Sequence, residues 1–401
     1  MVTDSTATLP PAMARAAGVR VVSLDLTIGG WRTLDADFDG AELLAALERG
    51  ERPVTSQPPP AAFAAAYERA AAEGAAAVVS VHLSGALSGT VTAARVAAAG
   101  AAVPVVVVDS GTVGMALGFA VLAAARAGTP QAPAPPVRWW RRWASSARGL
   151  LGPVPREDAT APTPPDVNEV AATAQAVAAS SQVWLLVDSL DYLRRGGRLS
   201  GTSALLGTIL QLRPLLTVAD GRLAVVGKVR TRRAARARLV QLAVESVATR
   251  TQARLAVHHL DNRDAAAELA RQVVAATGGR VVETVVTQAG AVLAAHVGPG
   301  MLAVAVTDAQ CPGAQCRDDQ CPDDHVTMAQ PTTPPAPATP SPAPRTSPKA
   351  ATKGPRTTPV PRPAPTPDPQ ATRPAAPTTA PGSREPSPAH GDDNQRYQPR
   401  R

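Results

Sequence analysis

Two patterns of apolar and polar positions alternate along the first 310 residues. Short runs rich in valine occur at "VRVVSLDLTI" (19–28), "AAAVVSVHL" (75–83) and "VPVVVVD" (103–109). Alanine-rich stretches separate them: "AELLAALERG", "AAFAAAYERAAAEG" and "VTAARVAAAG". Valine-rich runs are typical of strands and alanine-rich stretches of helices. Strands that alternate with helices indicate a mostly parallel sheet, so we expect an α/β fold. The opening "VTDSTATLP" has only one apolar residue before its polar turn, so its strand is short or starts upstream.

The same pattern divides the chain into segments. After "MALGFAVLAAARAG" it is interrupted by a stretch rich in Pro, Arg and Trp, and it resumes at "VNEVAATAQAVAASSQVWLLVDSL". Three further strand candidates follow, "RLAVHHL", "RVVETVVTQ" and "LAVAV". We therefore expect an N-terminal α/β domain at 1–128, an insertion or linker at 129–166 and a C-terminal α/β domain at 167–307.

The last segment, 308–401, has a different composition. It holds 23 of the chain's 41 prolines and almost no large apolar residues. Such a composition cannot bury enough surface to offset chain entropy, so we expect a disordered, Pro-rich tail with some polyproline II character.

Charge modifies this interpretation at one place only. The formal net charge is +8, but the segment Arg194–Arg238 alone holds eleven Arg or Lys and one acid. The surplus is therefore local. A nucleic-acid-binding protein working through this segment is one alternative, but the segment lacks the interleaved aromatic residues that stack on bases, so no nucleic acid is expected as a partner.

Candidate binding chemistry lies in the turns between strands and helices. The triplet Ser-Gly-Thr occurs at 88–90, 110–112 and 200–202, and the first two follow a strand run and precede a helical run. That position places hydroxyl groups and unpaired backbone N–H groups at the carboxyl edge of a parallel sheet, where anions and other ligands bind. Ordinary N-capping is the alternative for each triplet taken alone. The stretch "HLSGALSGT" is more specific because it carries Ser84, Ser88 and Thr90 in one turn.

Seven ordered blocks resemble the DegV family. They are "VTDSTATLP", "TSQPPPAAF", "HLSGALSGTVTAA", "VVDSGTVGMALG", "LDYLRRGGRLSG", "QLRPLLTVADGRLAVVGKVRTRRAA" and "HVGPGMLAVA", and they cover Val2 to Val306 except for the insertion. The resemblance implies a two-domain fatty-acid-binding protein with an apolar tunnel between the domains. It also implies that a separate fatty acid kinase converts the bound fatty acid to an acyl phosphate.

The resemblance carries site residues with it. The groups that bind the carboxylate in the family match Thr55, Ser88 and His296, and Ser84, Gly89 and Thr90 match supporting positions of the anion site. Two hydroxyls and an imidazole N–H are suitable donors for a buried carboxylate. The family's turn has Ser-Ser-Gly where this chain has Ser84-Gly85-Ala86, and the missing hydroxyl weakens the assignment of Ser84.

Basic residues supply the expected contact with the kinase. Arg194, Arg198 and Arg230 are candidates for docking or for stabilising the acyl phosphate, because Arg forms paired hydrogen bonds with phosphate groups. Arg232, Arg233, Arg236 and Arg238 are interpreted instead as a solvated helix face.

An enzyme is the second alternative. A hydrolase or acyltransferase could use Ser88 and His296 as nucleophile and base, but no acid that would orient the histidine is evident. P-loop, G-x-S-x-G and paired-His metal motifs are not found in the globular segments. We therefore expect a binding protein with no catalytic residues, no cofactor and no metal, located in the cytoplasm.

Two features lie outside the resemblance. Residues 137–151, "VRWWRRWASSARGLL", separate three Trp from four Arg at helical spacing, which fits either transient contact with an anionic membrane or a helix packed on its own domain. Cys311, Cys316, Cys321 and His325 form a possible Cys₃His set, but their spacing matches no common zinc motif, so a segment with reactive thiols is favoured.

Overall fold

A computed structural model describes residues 1–37, 40–129, 165–199 and 212–309. The strands are β1 Val2–Asp4, β2 Arg20–Val22, β3 Asp25–Ile28, β4 Trp31–Leu34, β5 Val54–Ser56, β6 Val78–His82, β7 Val105–Asp109, β8 Gln182–Leu186, β9 Arg213–Ala219, β10 Arg222–Val229, β11 Ala253–His259, β12 Val281–Gln288 and β13 Leu302–Asp308. The α-helices are α1 Pro11–Ala16, α2 Gly40–Glu48, α3 Pro60–Ala72, α4 Thr90–Ala98, α5 Met115–Ala127, α6 Val167–Ser180, α7 Asp191–Arg195, α8 Arg232–Ala248, α9 Arg263–Ala276 and α10 Ala291–Val297. Short 3₁₀ helices span Ser5–Ala7 and Asp35–Asp37.

The N-terminal part is built on a parallel sheet with the strand order β2-β1-β6-β7. Every residue of β6 is buried, as expected for a strand covered by helices on both faces. The parallel-sheet prediction is therefore confirmed, and the short opening strand β1 lies in the interior of the sheet.

The C-terminal part is built on a mixed sheet with the order β10-β9-β8-β13-β11-β12. Within this sheet β11 and β12 pair in parallel, and the other pairs of its described strands are antiparallel. The α/β assignment of this part is confirmed, although the β9–β10 hairpin within the basic segment was not foreseen.

A third sheet shows where one strand prediction was wrong. The run 19–28 does not form a single strand, because β2 joins the parallel sheet and β3 pairs antiparallel with β4 and β5 in a three-stranded sheet. Leu26 and Ile28 of β3 are buried in one cluster with Leu43 of α2 and Leu216 of β9. The small sheet is thus packed against the C-terminal part.

Helix α6 connects the two parts of the core. Val170 and Ala174 pack in a cluster with Val81 of the parallel sheet, whereas Val177 packs with Ala305 of the mixed sheet. All described residues fall in one compact unit. The segments 129–166 and 308–401 lie almost entirely outside the described residues, so their proposed character stays a prediction.

A buried carboxylate organises the edge of the parallel sheet. Asp4 accepts hydrogen bonds from Thr6 N at 3.1 Å, from Thr6 Oγ1 at 2.5 Å and from Leu83 N at 3.0 Å, and it also contacts His82 Nδ1 at 3.0 Å. Ser80 lies on the other side of that ring, 2.7 Å from Nε2. Because Asp4 joins the turn after β1 to the turn after β6, it fixes the backbone that forms one wall of the cavity described next.

Candidate functional site

An apolar cavity lies where the three sheets meet. Its walls come from the turns after β1, β6 and β7, from β5, from the mixed sheet and from α10. The apolar lining includes Leu83, Leu185, Leu193, Val292 and Met301. The cavity has a volume of about 100 Å³. The cavity is therefore narrow, as suits a thin apolar ligand.

Thr55 and His296 form a polar pair in this wall. The Thr55 Oγ1 atom lies 2.8 Å from His296 Nε2, although the residues are 241 positions apart. Thr55 is held in register by pairing with Leu26 of β3. His296 lies in the last turn of α10, which ends at Gly298 with a φ of 78°. Glycine readily adopts this left-handed conformation, so the Gly-Pro-Gly turn positions the histidine as the sequence indicated.

Ser88 lines the same cavity from the turn after β6. Its Oγ atom is 2.9 Å from Thr90 Oγ1, and helix α4 begins with Gly89 at the N-cap and no side-chain capping bond. Simple N-capping by Ser88, the alternative from sequence, is thus not observed. A Cβ atom on Gly89 would lie 1.9 Å from Gln57 Oε1, so the glycine lets that side chain approach the turn. Thr90 therefore contacts the Ser88 hydroxyl from outside the lining, and Gly89 leaves room for Gln57.

Arg198 lies in the cavity wall. Its side chain donates to Leu87 O at 3.3 Å and to Gly196 O at 2.5 Å. Burial, followed by the positive charge of Arg198, lowers the pKa of His296 to about 4. The histidine is therefore neutral at pH 7, and the permanent charge at this end of the cavity belongs to the arginine.

The sequence grouped Arg198 with the surface residues Arg194 and Arg230, but the structure separates them. Arg194 is exposed and pairs with Asp191 at 3.6 Å, and Arg230 is exposed at the end of β10. Arg198 follows the turn Gly196-Gly197, whose second glycine has a φ of 69°, and its side chain reaches Leu87 O.

Ser84 does not line the cavity. It is buried, and its hydroxyl donates to Gly221 O at 2.7 Å and accepts from Ala86 N at 3.2 Å. This serine therefore connects the turn after β6 to the β9–β10 hairpin. Its expected place in the anion site is replaced by a structural one, because its only proton is already donated to a carbonyl group.

The geometry also bears on the two alternatives raised by the sequence, a hydrolase or acyltransferase and a nucleic-acid-binding protein. Within the described residues Ser88 and His296 share no hydrogen bond, since each is paired with a threonine, so the nucleophile–base contact of a hydrolase is missing. Asp188 pairs with both Arg213 and Arg232, which reduces the free charge of the basic segment. Arg232, Arg233 and Arg236 lie exposed on α8, as expected for a solvated helix face.

Some wall residues were missed by sequence reasoning. Thr6, Gln57 and His258 also line the cavity. The first two belong to the blocks "VTDSTATLP" and "TSQPPPAAF", so their position beside assigned residues was an available signal. His258 gave no such signal, because it lies in an ordinary strand pattern.

Neither a metal-binding cluster nor a membrane-spanning helix is found among the described residues. The part of the chain described here holds no group of three or more His, Cys, Asp or Glu side chains that could bind a metal ion. Among the described helices none is long and apolar enough to cross a membrane. The set Cys311, Cys316, Cys321 and His325 and the segment 137–151 lie outside the described residues.

Comparison with known proteins gives consistent matches. Residues 1–132 and 162–309 match the model of a family described as "Uncharacterised protein, DegV family". A DegV domain-containing protein of Streptomyces coelicolor is 38% identical over 309 residues, which cover 77% of this chain and 97% of that protein.

Solved structures match over the same extent. A DegV family protein from Thermus thermophilus, described by its fatty acid binding, is 32% identical with a TM-score of 0.62, and the match covers 77% of this chain and 98% of that one. DegV from Bacillus subtilis, described as a fatty acid binding protein, is 26% identical with a TM-score of 0.61 and the same coverage.

Proposed function

Because the chain belongs to the DegV family, we propose that it binds a long-chain fatty acid in the apolar cavity, with the carboxylate at Thr55, Ser88 and His296. The observation that carries this proposal is the convergence of these three residues, with Arg198, in the wall of one narrow and otherwise apolar cavity. The fatty acids bound by the relatives from Thermus thermophilus and Bacillus subtilis support it.

The polar groups suit a carboxylate for a physical reason. A buried carboxylate is costly unless hydrogen-bond donors and an opposite charge compensate for the lost water. Thr55 and Ser88 each carry a hydroxyl proton that can turn toward a ligand, and the Arg198 guanidinium supplies the charge. Charge-assisted hydrogen bonds of this kind are about twice as strong as neutral ones.

The apolar wall accounts for the acyl chain. Burying a methylene group contributes roughly 0.8 kcal/mol, so affinity rises with the length of chain that the cavity accommodates.

Transfer to a partner is the second part of the proposal. A separate kinase would move a phosphoryl group from a nucleoside triphosphate to the bound carboxylate, forming an acyl phosphate. Arg194 and Arg230 support this step, because both are exposed and basic. In this scheme the present chain binds and presents the ligand and catalyses no bond change itself.

Alanine substitutions test the carboxylate site. Ser88→Ala removes one hydrogen bond to a charged group, and His296→Ala removes the ring that holds Thr55 Oγ1 in place for the same carboxylate. We expect each change to cost about 1.5 to 3 kcal/mol, or roughly ten- to a hundredfold in stearic acid affinity. Ser110→Ala is the matched control, since Ser110 occupies the same place in the second Ser-Gly-Thr triplet but is hydrogen-bonded to Thr112 O and does not line the cavity. Equal affinities for Ser88→Ala and Ser110→Ala, measured by displacement of a fluorescent fatty acid, would contradict the assignment.

A further inference from the structure

Helix α10 forms a large part of the cavity wall for its length. Four of its seven residues line the cavity, and these are Val292, Leu293, His296 and Val297. A helix of two turns is only marginally stable by itself, so its position depends on its packing and on how its ends are satisfied. The residue before it, Gly290, has no side chain that could accept a hydrogen bond from the first N–H groups of the helix.

Asp35 supplies the missing cap from a distant part of the chain. Its Oδ1 atom accepts a hydrogen bond from the backbone N–H of Val292 at 2.8 Å, across 257 positions of sequence. Val292 is the second residue of α10, whose N–H group is one that a capping side chain normally binds. A Cβ atom on Gly290 would lie 2.9 Å from Asp35 Oδ1, so the glycine leaves free the space that the carboxylate occupies.

The backbone of Asp35 is fixed in turn by the segment after β1. Asp35 N donates to Leu24 O at 2.9 Å, and Leu24 N donates to Ser5 Oγ at 3.1 Å. Asp35 is only 5% exposed, and a buried carboxylate is costly unless hydrogen bonds compensate for the lost water. Asp35 therefore links the turn after the first strand of the parallel sheet to the helix that carries His296.

We propose that Asp35 is a positioning residue of the fatty acid site, which caps α10 and thereby holds His296 beside Thr55. This inference rests on the proposed function and adds to it a residue that does not line the cavity. Without the cap, α10 loses a hydrogen bond in its first turn, and the ligand must order the helix as it binds. Affinity then falls although every residue that lines the cavity is unchanged.

Substitutions of Asp35 test the cap. Asp35→Ala removes the acceptor, and because loss of a cap corresponds to roughly tenfold in an equilibrium constant, we expect about tenfold weaker stearic acid binding. Asp35→Asn keeps an acceptor of the same size and should bind within about threefold of wild type. Asp166→Ala is the matched control, because Asp166 caps α6 through Asn168 N at 2.9 Å and α6 contributes no residue to the described lining. It should lower stability in urea and leave stearic acid affinity unchanged.

A second-site substitution separates positioning from general destabilisation. Gly290→Ser in the Asp35→Ala background places a capping hydroxyl on α10 itself, in the space that the carboxylate vacates. The backbone of Gly290, with a φ of −58° and a ψ of 155°, accepts a serine without strain. Stearic acid affinity should therefore return toward that of wild type. The imidazole resonances of His296 should shift in Asp35→Ala and return in the double variant.

The outcomes distinguish this inference from the proposed function. Normal stearic acid affinity in Asp35→Ala, or a folded double variant whose affinity does not recover, overturns the role of Asp35. If Asp35→Ala does not fold, the double variant and Asp35→Asn still decide, and a tenfold loss in Asp35→Asn contradicts the cap. A wild-type protein that does not bind stearic acid overturns the proposed function instead.

Discussion

At the polar end of the cavity, four side chains come from distant parts of the sequence. Thr55, Ser88, Arg198 and His296 are placed by a strand register, a strand-to-helix turn, a Gly-Gly turn and a helix end, respectively. None of these structural features depends on a bound ligand. The site is therefore largely formed before binding, which reduces the entropy cost of ordering it.

Arg198 should matter for the ligand itself. Its guanidinium is the permanent charge in the cavity wall, so we expect Arg198→Ala to weaken stearic acid binding by roughly tenfold or more. Arg194→Ala is the matched control, because Arg194 is exposed and removed from the lining. Titration of both variants by calorimetry checks this. Unchanged affinity for Arg198→Ala would place its role at the kinase, as the sequence alone suggested.

His296 gives a pH dependence of stability. Its folded-state pKa of about 4 is below the ordinary 6.5, so between these values the unfolded chain binds a proton that the folded protein does not. The contribution of neutral His296 to the free energy of unfolding is present above pH 6.5 and is lost as pH falls toward 4. Buried His258 acts in the same direction, whereas burial raises the pKa of Asp35, which acts in the opposite one. We expect His296→Gln to lose less stability than wild type over this window in urea unfolding, and equal losses would refute the assignment.

Sequence motifs pointed to individual residues of the cavity wall where the motif fixes the local backbone. The Gly-Pro-Gly turn after His296 and the turn around Ser88 were both informative, and the structure brings these residues to one cavity. Sequence reasoning did not foresee the partners of Arg198 and Ser84, because Leu87 O and Gly221 O are 111 and 137 residues away. Such contacts depend on tertiary packing, which no local pattern encodes.

At the scale of elements, helices α7 and α10 pack where the Gly-Gly turn approaches His296. A Cβ atom on Gly196 would lie 2.4 Å from His296 Nδ1, and the backbone of Gly196 is in the ordinary helical region with a φ of −72°. Glycine is therefore needed at position 196 because a larger side chain would collide with His296, and not because of its backbone conformation.

We expect Gly196→Ala to displace the His296 ring and to cost about 1 to 3 kcal/mol of ligand binding or stability, as overpacking usually does. Gly100→Ala is the control, because a Cβ atom there meets nothing within 4 Å. Fatty acid affinity and thermal unfolding of both variants check this. If the two behave alike, His296 is not held by this contact.

The errors in predicting elements have the same physical origin. Six of the ten residues of the run 19–28 are apolar and no turn signal divides it, so only tertiary packing shows that β2 and β3 belong to different sheets. The β9–β10 hairpin carries Arg213, Arg222 and Lys228, which concealed its strand pattern. The long alternating segments, by contrast, predicted β6, α3, α5 and β11 within a few residues.

For the whole molecule, the compact unit contains the complete cavity wall described here. The family match ends at residue 309, and every described lining residue precedes it. We expect truncation after Asp308 to leave stearic acid affinity within about twofold, because the described lining residues and almost the whole family match lie before this point. A tenfold loss would show that the segment containing Cys311 and His325 belongs to the site.

Occupancy of the cavity by one fatty acid can be measured by native mass spectrometry of the protein purified from its own host, with the bound compound released and identified after denaturation. We expect one fatty acid per chain in the wild-type protein, and a strongly reduced fraction in the double variant Ser88→Ala, His296→Ala. A wild-type protein that carries no fatty acid, even after incubation with an excess of stearic acid, would contradict it.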